Sequence, residues 1–133
     1  MGRVLFWGAA FVALSMLVGA YAGLVATGDI AGNAHYAIAA HVTGLLGGLL
    51  LIAVGVTLPH LRYGDTGRRR LVNLLLVGSA ANLAFNVAKA IVDVQALTFT
   101  GDAVNDVLFV FATALIVVPH LVGTIAWAWG LRR

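Results

Sequence analysis

The sequence predicts an all-α integral membrane protein, a bundle of four transmembrane helices. Of its 133 residues, 62% are hydrophobic and 10% are charged, and the mean hydropathy is +1.01; a soluble domain is far less apolar. A helix needs about 20 consecutive apolar residues to cross a bilayer. The chain is therefore expected to form one transmembrane domain, residues 1–133, with spans at about 4–26, 36–58, 71–93 and 104–130.

The first span also has features of a secretory signal peptide. It begins "MGRVLFWGAAFVALSMLVGAYAG", with a single arginine before the apolar run and small residues, Ala20 and Ala22, near its end. The apolar run is longer than the core of a usual signal peptide and leads directly into the other spans. We therefore expect an uncleaved first helix.

Charged side chains lie beside the ends of the spans. Arginines cluster at both chain ends and between the second and third spans, so the positive-inside rule predicts cytoplasmic termini. No basic domain surrounds them, and the formal net charge of +3 therefore does not indicate nucleic acid binding. We expect a multi-pass protein of the bacterial inner (cytoplasmic) membrane, with the lipid bilayer as its partner. The residues concerned are Arg3, Arg62, Arg68, Arg69, Arg70, Arg132 and Arg133, with Asp29, Asp102 and Asp106 at the opposite ends.

Two further signals concern helix packing and helix ends. Gly19 and Gly23 of the first span are four residues apart, a spacing that lets helix backbones approach closely. Asp102 and Asp106 lie where the fourth helix should begin, and carboxylates there can cap the helix and complement its dipole. The chain has no cysteine, which excludes disulfides and thiolate metal sites.

The second span carries a histidine inside a run rich in glycine. His41, Gly44, Gly48 and Gly55 stand at offsets of 0, 3, 7 and 14 and share one helix face. The glycines are either a packing surface for another helix, or a face without side chains that leaves room for a flat, bulky ligand. From the residues alone, His41 is either a ligand of that group or is hydrogen-bonded to a neighbouring helix.

The third span carries a polar stripe. Asn82, Asn86, Lys89 and Asp93 stand at offsets of 0, 4, 7 and 11, so they share a face that should contact protein or water. Lys89 and Asp93 could neutralise each other, and the asparagines could form interhelical hydrogen bonds. With a rise of about 1.5 Å per residue, His41 lies at the depth of Asn86 and Lys89, which predicts one shared polar site.

The other histidines lie elsewhere. By the same count, His120 is nearer the opposite end of the bundle, more than about 15 Å from the level of His41, so the two are not predicted to ligate one metal within a subunit. His35 and His60 fall at the ends of the second span, where exposed histidines are ordinary.

Three motifs in order, "AAHVTGLLGGLLLIAVGVTLPHL", "ANLAFN" and "ALTFTGD", resemble the styrene oxide isomerase family. Its members are small four-helix membrane proteins that rearrange aryl epoxides to aldehydes with haem b. The resemblance implies haem b as cofactor and a homotrimer with haem near the subunit boundaries. By position, His41 matches the axial ligand of the haem iron, and Asn82 and Phe85 match pocket residues.

The predicted site combines this resemblance with the two stripes. Three positions depart from the family pattern: Asn86 replaces a tyrosine, Gly47 an asparagine and Gly78 an aspartate. We expect the haem site to be kept and the substrate pocket to differ. The predicted cofactor site comprises His41, Gly44, Gly48, Phe85 and Lys89, with His41 as metal ligand, and the predicted catalytic residues are Asn82 and Asn86.

The leading hypothesis is a haem b protein that isomerises a small hydrophobic epoxide to an aldehyde or ketone, with ferric iron as Lewis acid. Two alternatives remain. One is a non-catalytic haem subunit that senses or binds a gaseous ligand or transfers electrons; the other is a small transporter or structural membrane subunit.

Overall fold

The computed structural model describes residues 2–132, and within them every regular element is a helix. The four helical stretches are long and apolar enough to cross a membrane, as predicted. Which side each terminus faces stays a prediction, and Arg133 lies outside the described residues. The elements are α1 (Gly2–Thr27), α2 (Ala34–Thr57), a 3-10 turn (Leu58–His60), α3 (Asp65–Val92), α4 (Ala103–Ala112), a π-helical turn (Thr113–Val117) and α5 (Val118–Gly130).

The fourth span, Ala103–Gly130, begins as predicted. Asp102 is the N-cap residue, and its carboxylate accepts a hydrogen bond from the backbone N–H of Asn105 at 2.8 Å. The Asp106 carboxylate accepts from the backbone N–H groups of Thr100 and Gly101 at 2.8 and 3.1 Å. The two aspartates therefore bond both the first turn of the helix and the chain that leads into it.

Helix α3 begins six residues before the predicted span at 71, so residues 65–70 are helical. Hydropathy marks where a chain enters the apolar region, whereas arginine is a good helix former and can extend the helix beyond it. Asp65 in the first turn complements the helix dipole. Arg68 contacts the preceding turn, because its Nη2 donates to the Leu61 carbonyl at 2.8 Å.

Helices adjacent in sequence are adjacent in space: α1 packs on α2, α2 on α3, and α3 on the fourth span. An apolar cluster around Leu51, Val54 and Leu75 fills the interior. Both ends of the described chain lie beside the connection between α2 and α3, where the Arg62 N–H donates to the Gly130 carbonyl at 3.0 Å. The arginines of the described chain therefore gather at one end of the bundle.

The glycine face of α2 is covered by α1. A Cβ built on Gly48 would lie 2.8 Å from the carbonyl oxygen of Gly8, and one built on Gly8 would lie 2.9 Å from the carbonyl oxygen of Gly48. A Cβ on Gly44 would lie 3.2 Å from that of Ser15, and one on Gly55 would lie 2.8 Å from Leu5. The packing interpretation of the stripe is correct.

The alternative, that Gly44 and Gly48 leave room for a flat ligand, is wrong within this chain. Small residues let two helix backbones approach, and here the approach itself fills the volume that side chains would otherwise take.

We expect Gly48→Ala to destabilise the protein, because its Cβ would meet the backbone of α1. Overpacking of this kind costs about 1–3 kcal/mol. Gly23→Ala is the matched control, since a Cβ there would meet no atom within 4 Å, and both substitutions make the same change in helix propensity. The free energy of unfolding in mixed micelles measures both; equal stability of the two variants would contradict the close crossing.

Candidate functional site

Helix α1 holds the imidazole of His41. The Nδ1 atom lies 2.7 Å from the carbonyl oxygen of Ser15, and the Ser15 hydroxyl donates to the His41 carbonyl at 2.6 Å. Since a carbonyl oxygen only accepts hydrogen bonds, Nδ1 is the donor here, and in the neutral ring this leaves the lone pair on Nε2. Ser15 is fully buried, whereas His41 is partly exposed. The arrangement fixes the ring and leaves Nε2 able to bind an electrophile.

Gly19 provides the space for this ring. A Cβ at position 19 would lie 2.8 Å from Nδ1 and 2.9 Å from Cε1 of His41. The spacing of Gly19 and Gly23 predicted a packing role for both, but within residues 2–132 a Cβ on Gly23 would meet no atom within 4 Å. Ser15 was not among the predicted site residues, although a serine in the interior of an otherwise apolar helix is a signal that could have indicated it.

The two asparagines of α3 bond to each other. The Asn86 Nδ2 group donates to the Oδ1 atom and to the carbonyl of Asn82, both at 2.9 Å. The pair therefore lies along one helix, and the expected interhelical hydrogen bonds are replaced by an intrahelical one. In residues 2–132 the Nδ2 group of Asn82 donates to no other group, so Asn82 is the member that can donate to a ligand.

Lys89 is only 5% exposed. Its Nζ lies 4.2 Å from the ring centroid of Tyr36 and 5.6 Å from that of Phe85, so it makes cation–π contacts. Asp93, at the left-handed C-cap of α3, accepts a hydrogen bond from Asn33 Nδ2 at 2.6 Å. Lys89 and Asp93 therefore contact different partners, and the mutual neutralisation suggested by their spacing is not found.

The predicted shared polar site is confirmed only in part: His41 and Asn86 lie at the same depth in the bundle, but they do not bond to each other. A Cβ on Gly44 would lie 3.0 Å from Leu83. His41 precedes Gly44 by three residues and Asn86 follows Leu83 by three, so on antiparallel helices the two lie at the same level. However, His41 faces α1, while Asn86 is bonded along α3. The two side chains are separated because α2 is oriented about its own axis so that the face carrying His41 is turned toward α1.

The remaining histidines lie apart from His41. His120 packs against α3, where a Cβ on Gly78 would lie 2.9 Å from its Nδ1, and this nitrogen lies 2.9 Å from the Ile116 carbonyl oxygen. His35 and His60 are exposed, as expected. Among residues 2–132, no three histidine or acidic side chains are grouped to hold a bare metal ion.

The sequence profile of the styrene oxide isomerase family matches residues 1–132. The chain belongs to this family. It is also similar to hydroxylaminobenzene mutase HabB of Ectopseudomonas oleovorans, with 28% identity over 137 residues that cover 98% of this chain and 80% of the relative. With four apolar helices, these similarities support a membrane isomerase or mutase.

In this member of the styrene oxide isomerase family, polar side chains of neighbouring helices approach Gly47 and Gly78. A Cβ on Gly47 would lie 3.2 Å from the hydroxyl of Ser79. The Ser79 hydroxyl is buried and has no partner within residues 2–132. His120 lies against Gly78 in the same way. Ser79 and His120 could not be assigned to these positions from the sequence, because both contacts join different helices.

Proposed function

We propose that this chain is a membrane isomerase that holds haem b through His41 and converts a small hydrophobic epoxide to an aldehyde or ketone. One observation carries the proposal: the Nδ1 atom of His41 lies 2.7 Å from the Ser15 carbonyl oxygen. Histidines that ligate a metal through one nitrogen usually donate the other N–H to a carbonyl or carboxylate, which fixes the ring and raises its basicity. The residues present therefore fit an axial haem ligand.

Bound haem iron would supply a Lewis acid toward the oxygen of the substrate. The protein then has to orient the substrate, stabilise charge on its oxygen and exclude water, because an isomerisation consumes neither electrons nor water. Ser15 and Gly19 hold His41 in one orientation. Apolar spans concentrate a hydrophobic substrate and keep water out of the site.

In this proposal Asn82 donates its Nδ2–H to the substrate oxygen as negative charge develops there. Asn86 acts as a positioning residue, since its hydrogen bond to Asn82 Oδ1 turns the free N–H of Asn82 away from its own helix. The Asn82 amide can donate a hydrogen bond to the substrate oxygen, but it cannot transfer a proton to it.

Lys89 is the proposed partner of a haem propionate, because it is a nearly buried cation with aromatic neighbours. Carboxylate and ammonium groups form charge-assisted hydrogen bonds. A homotrimer completes the proposal: a second subunit would cover the open side of His41, which one chain of this size leaves exposed.

A second candidate substrate is an aryl hydroxylamine. It is favoured by the similarity to HabB, whose name gives hydroxylaminobenzene as the molecule that it rearranges. Both candidates are small apolar molecules. Rearrangement requires the C–O bond of an epoxide or the N–O bond of a hydroxylamine to be weakened, and a Lewis acid at the oxygen could do this for either.

His41→Ala should abolish most haem binding in protein purified from a haem-replete host, because it removes the axial nitrogen. His35→Ala, His60→Ala and His120→Ala are matched controls and should keep a wild-type haem-to-protein ratio, measured from the absorption spectrum. Added imidazole should restore part of the His41→Ala spectrum by occupying the vacated space. A normal haem content in His41→Ala would exclude this ligand.

Asn82→Leu should lower kcat for isomerisation by about 10²- to 10³-fold, since it removes a hydrogen-bond donor to developing charge. Asn86→Leu should lose less, because it leaves that donor in place. The measurement is product formation from a panel of aryl epoxides and from hydroxylaminobenzene, at equal haem content. If wild-type protein is inert on the whole panel while its ferrous form binds CO, the gas-binding alternative replaces the enzyme.

A further inference from the structure

A cavity of about 700 Å³ lies at the arginine-rich end, between the first turns of α1 and α3. Three arginines line it, Arg3, Arg68 and Arg69, with Asp65 as the opposing charge. Its net charge is positive, and its volume falls in the range of small-ligand sites.

The lining changes from charged to apolar along the helices. Trp7 lies four residues after Arg3 on α1, and Leu76 lies seven residues after Arg69 on α3, so these apolar side chains are about 6 and 10 Å deeper in the bundle. Charge at the entrance and an apolar wall behind it match an amphiphile with an anionic head group and an alkyl chain.

One buried donor in this lining has no acceptor. Arg68 Nη2 donates to the carbonyls of Pro59 and Leu61, but its buried Nε–H has no partner within residues 2–132. A buried N–H group is normally paired with protein, water or an ion. Arg3 and Arg69 are exposed, so their guanidinium groups can reach a head group.

The cavity is separate from the His41 site. Leu58, which lines the cavity, follows His41 by seventeen residues, or about 25 Å along the helix axis. The cavity therefore has no part in the proposed haem site.

We propose that this cavity binds one anionic phospholipid, with its phosphodiester held by Arg3, Arg68 and Arg69 and an acyl chain against Trp7 and Leu76. Arginine pairs with phosphate through parallel hydrogen bonds. Basic pockets between transmembrane helices at the membrane surface bind the head groups of anionic lipids. Phosphatidylglycerol and cardiolipin share this chemistry, whereas phosphatidylethanolamine carries no net charge.

Native mass spectrometry of the full chain in detergent, titrated with each of the three lipids, tests the proposal. Arg3→Gln/Arg69→Gln should weaken binding of phosphatidylglycerol or cardiolipin about tenfold or more. Arg62→Gln/Arg132→Gln is the matched control, because it removes the same charge at the same end from side chains that lie over Trp129, outside the cavity. Its affinity should stay within about twofold of wild type, a difference too small to signal a lost contact. The anionic lipid that binds with the higher affinity identifies the preferred head group.

Leu76→Trp fills the apolar wall and keeps every charge, so it should also weaken lipid binding. Equal losses in the two arginine double variants would show surface attraction only and overturn the proposal, as would equal binding of phosphatidylethanolamine. If the cavity variants instead change the oligomeric mass and leave lipid affinity intact, a second copy occupies the cavity and the proposal is wrong.

Discussion

The backbone contact between α1 and α2 at Gly8 and Gly48 is the constraint on which the site depends. Each glycine lies where a Cβ would meet the carbonyl oxygen of the other, so the helices can cross at this distance only without side chains. That crossing brings Ser15 to His41 two turns further along α1. Gly19 then leaves space for the ring. The packing of two helices and the orientation of one imidazole are therefore a single structural feature.

Most polar groups within the spans follow the rule that a bilayer imposes, which is that each must find a partner inside the protein. His41 bonds to a backbone carbonyl, Asn86 bonds to Asn82, and Lys89 lies over aromatic rings. Ser79 and Tyr21 are exceptions, since their buried hydroxyls have no partner within residues 2–132. A group of this kind is a place where a substrate or an ordered water gains a hydrogen bond without displacing one.

Much of the fold could be predicted from the sequence because hydropathy and helical periodicity are local properties. The four spans, the cap at Asp102 and the shared face of His41 and Gly48 all follow from spacing along one helix. The contacts of the site could not be predicted from the sequence. Periodicity shows which residues share a helix face, but it does not show which neighbouring helix covers that face. The orientation of α2 about its axis places His41 against Ser15 and away from Asn86.

We propose that His41 binds haem iron through Nε2 while its Nδ1–H donates to the Ser15 carbonyl. Resonance Raman spectroscopy of the ferrous protein measures the iron–histidine stretching band directly. Loss of the Nδ1–H bond lowers the basicity of the ligand. We predict this band in wild type, at lower frequency or absent in Gly19→Ala, and unchanged in Gly23→Ala. A haem-containing wild type without the band would exclude His41 as the ligand, and a band that Gly19→Ala leaves unchanged would exclude the role of the Nδ1–H bond.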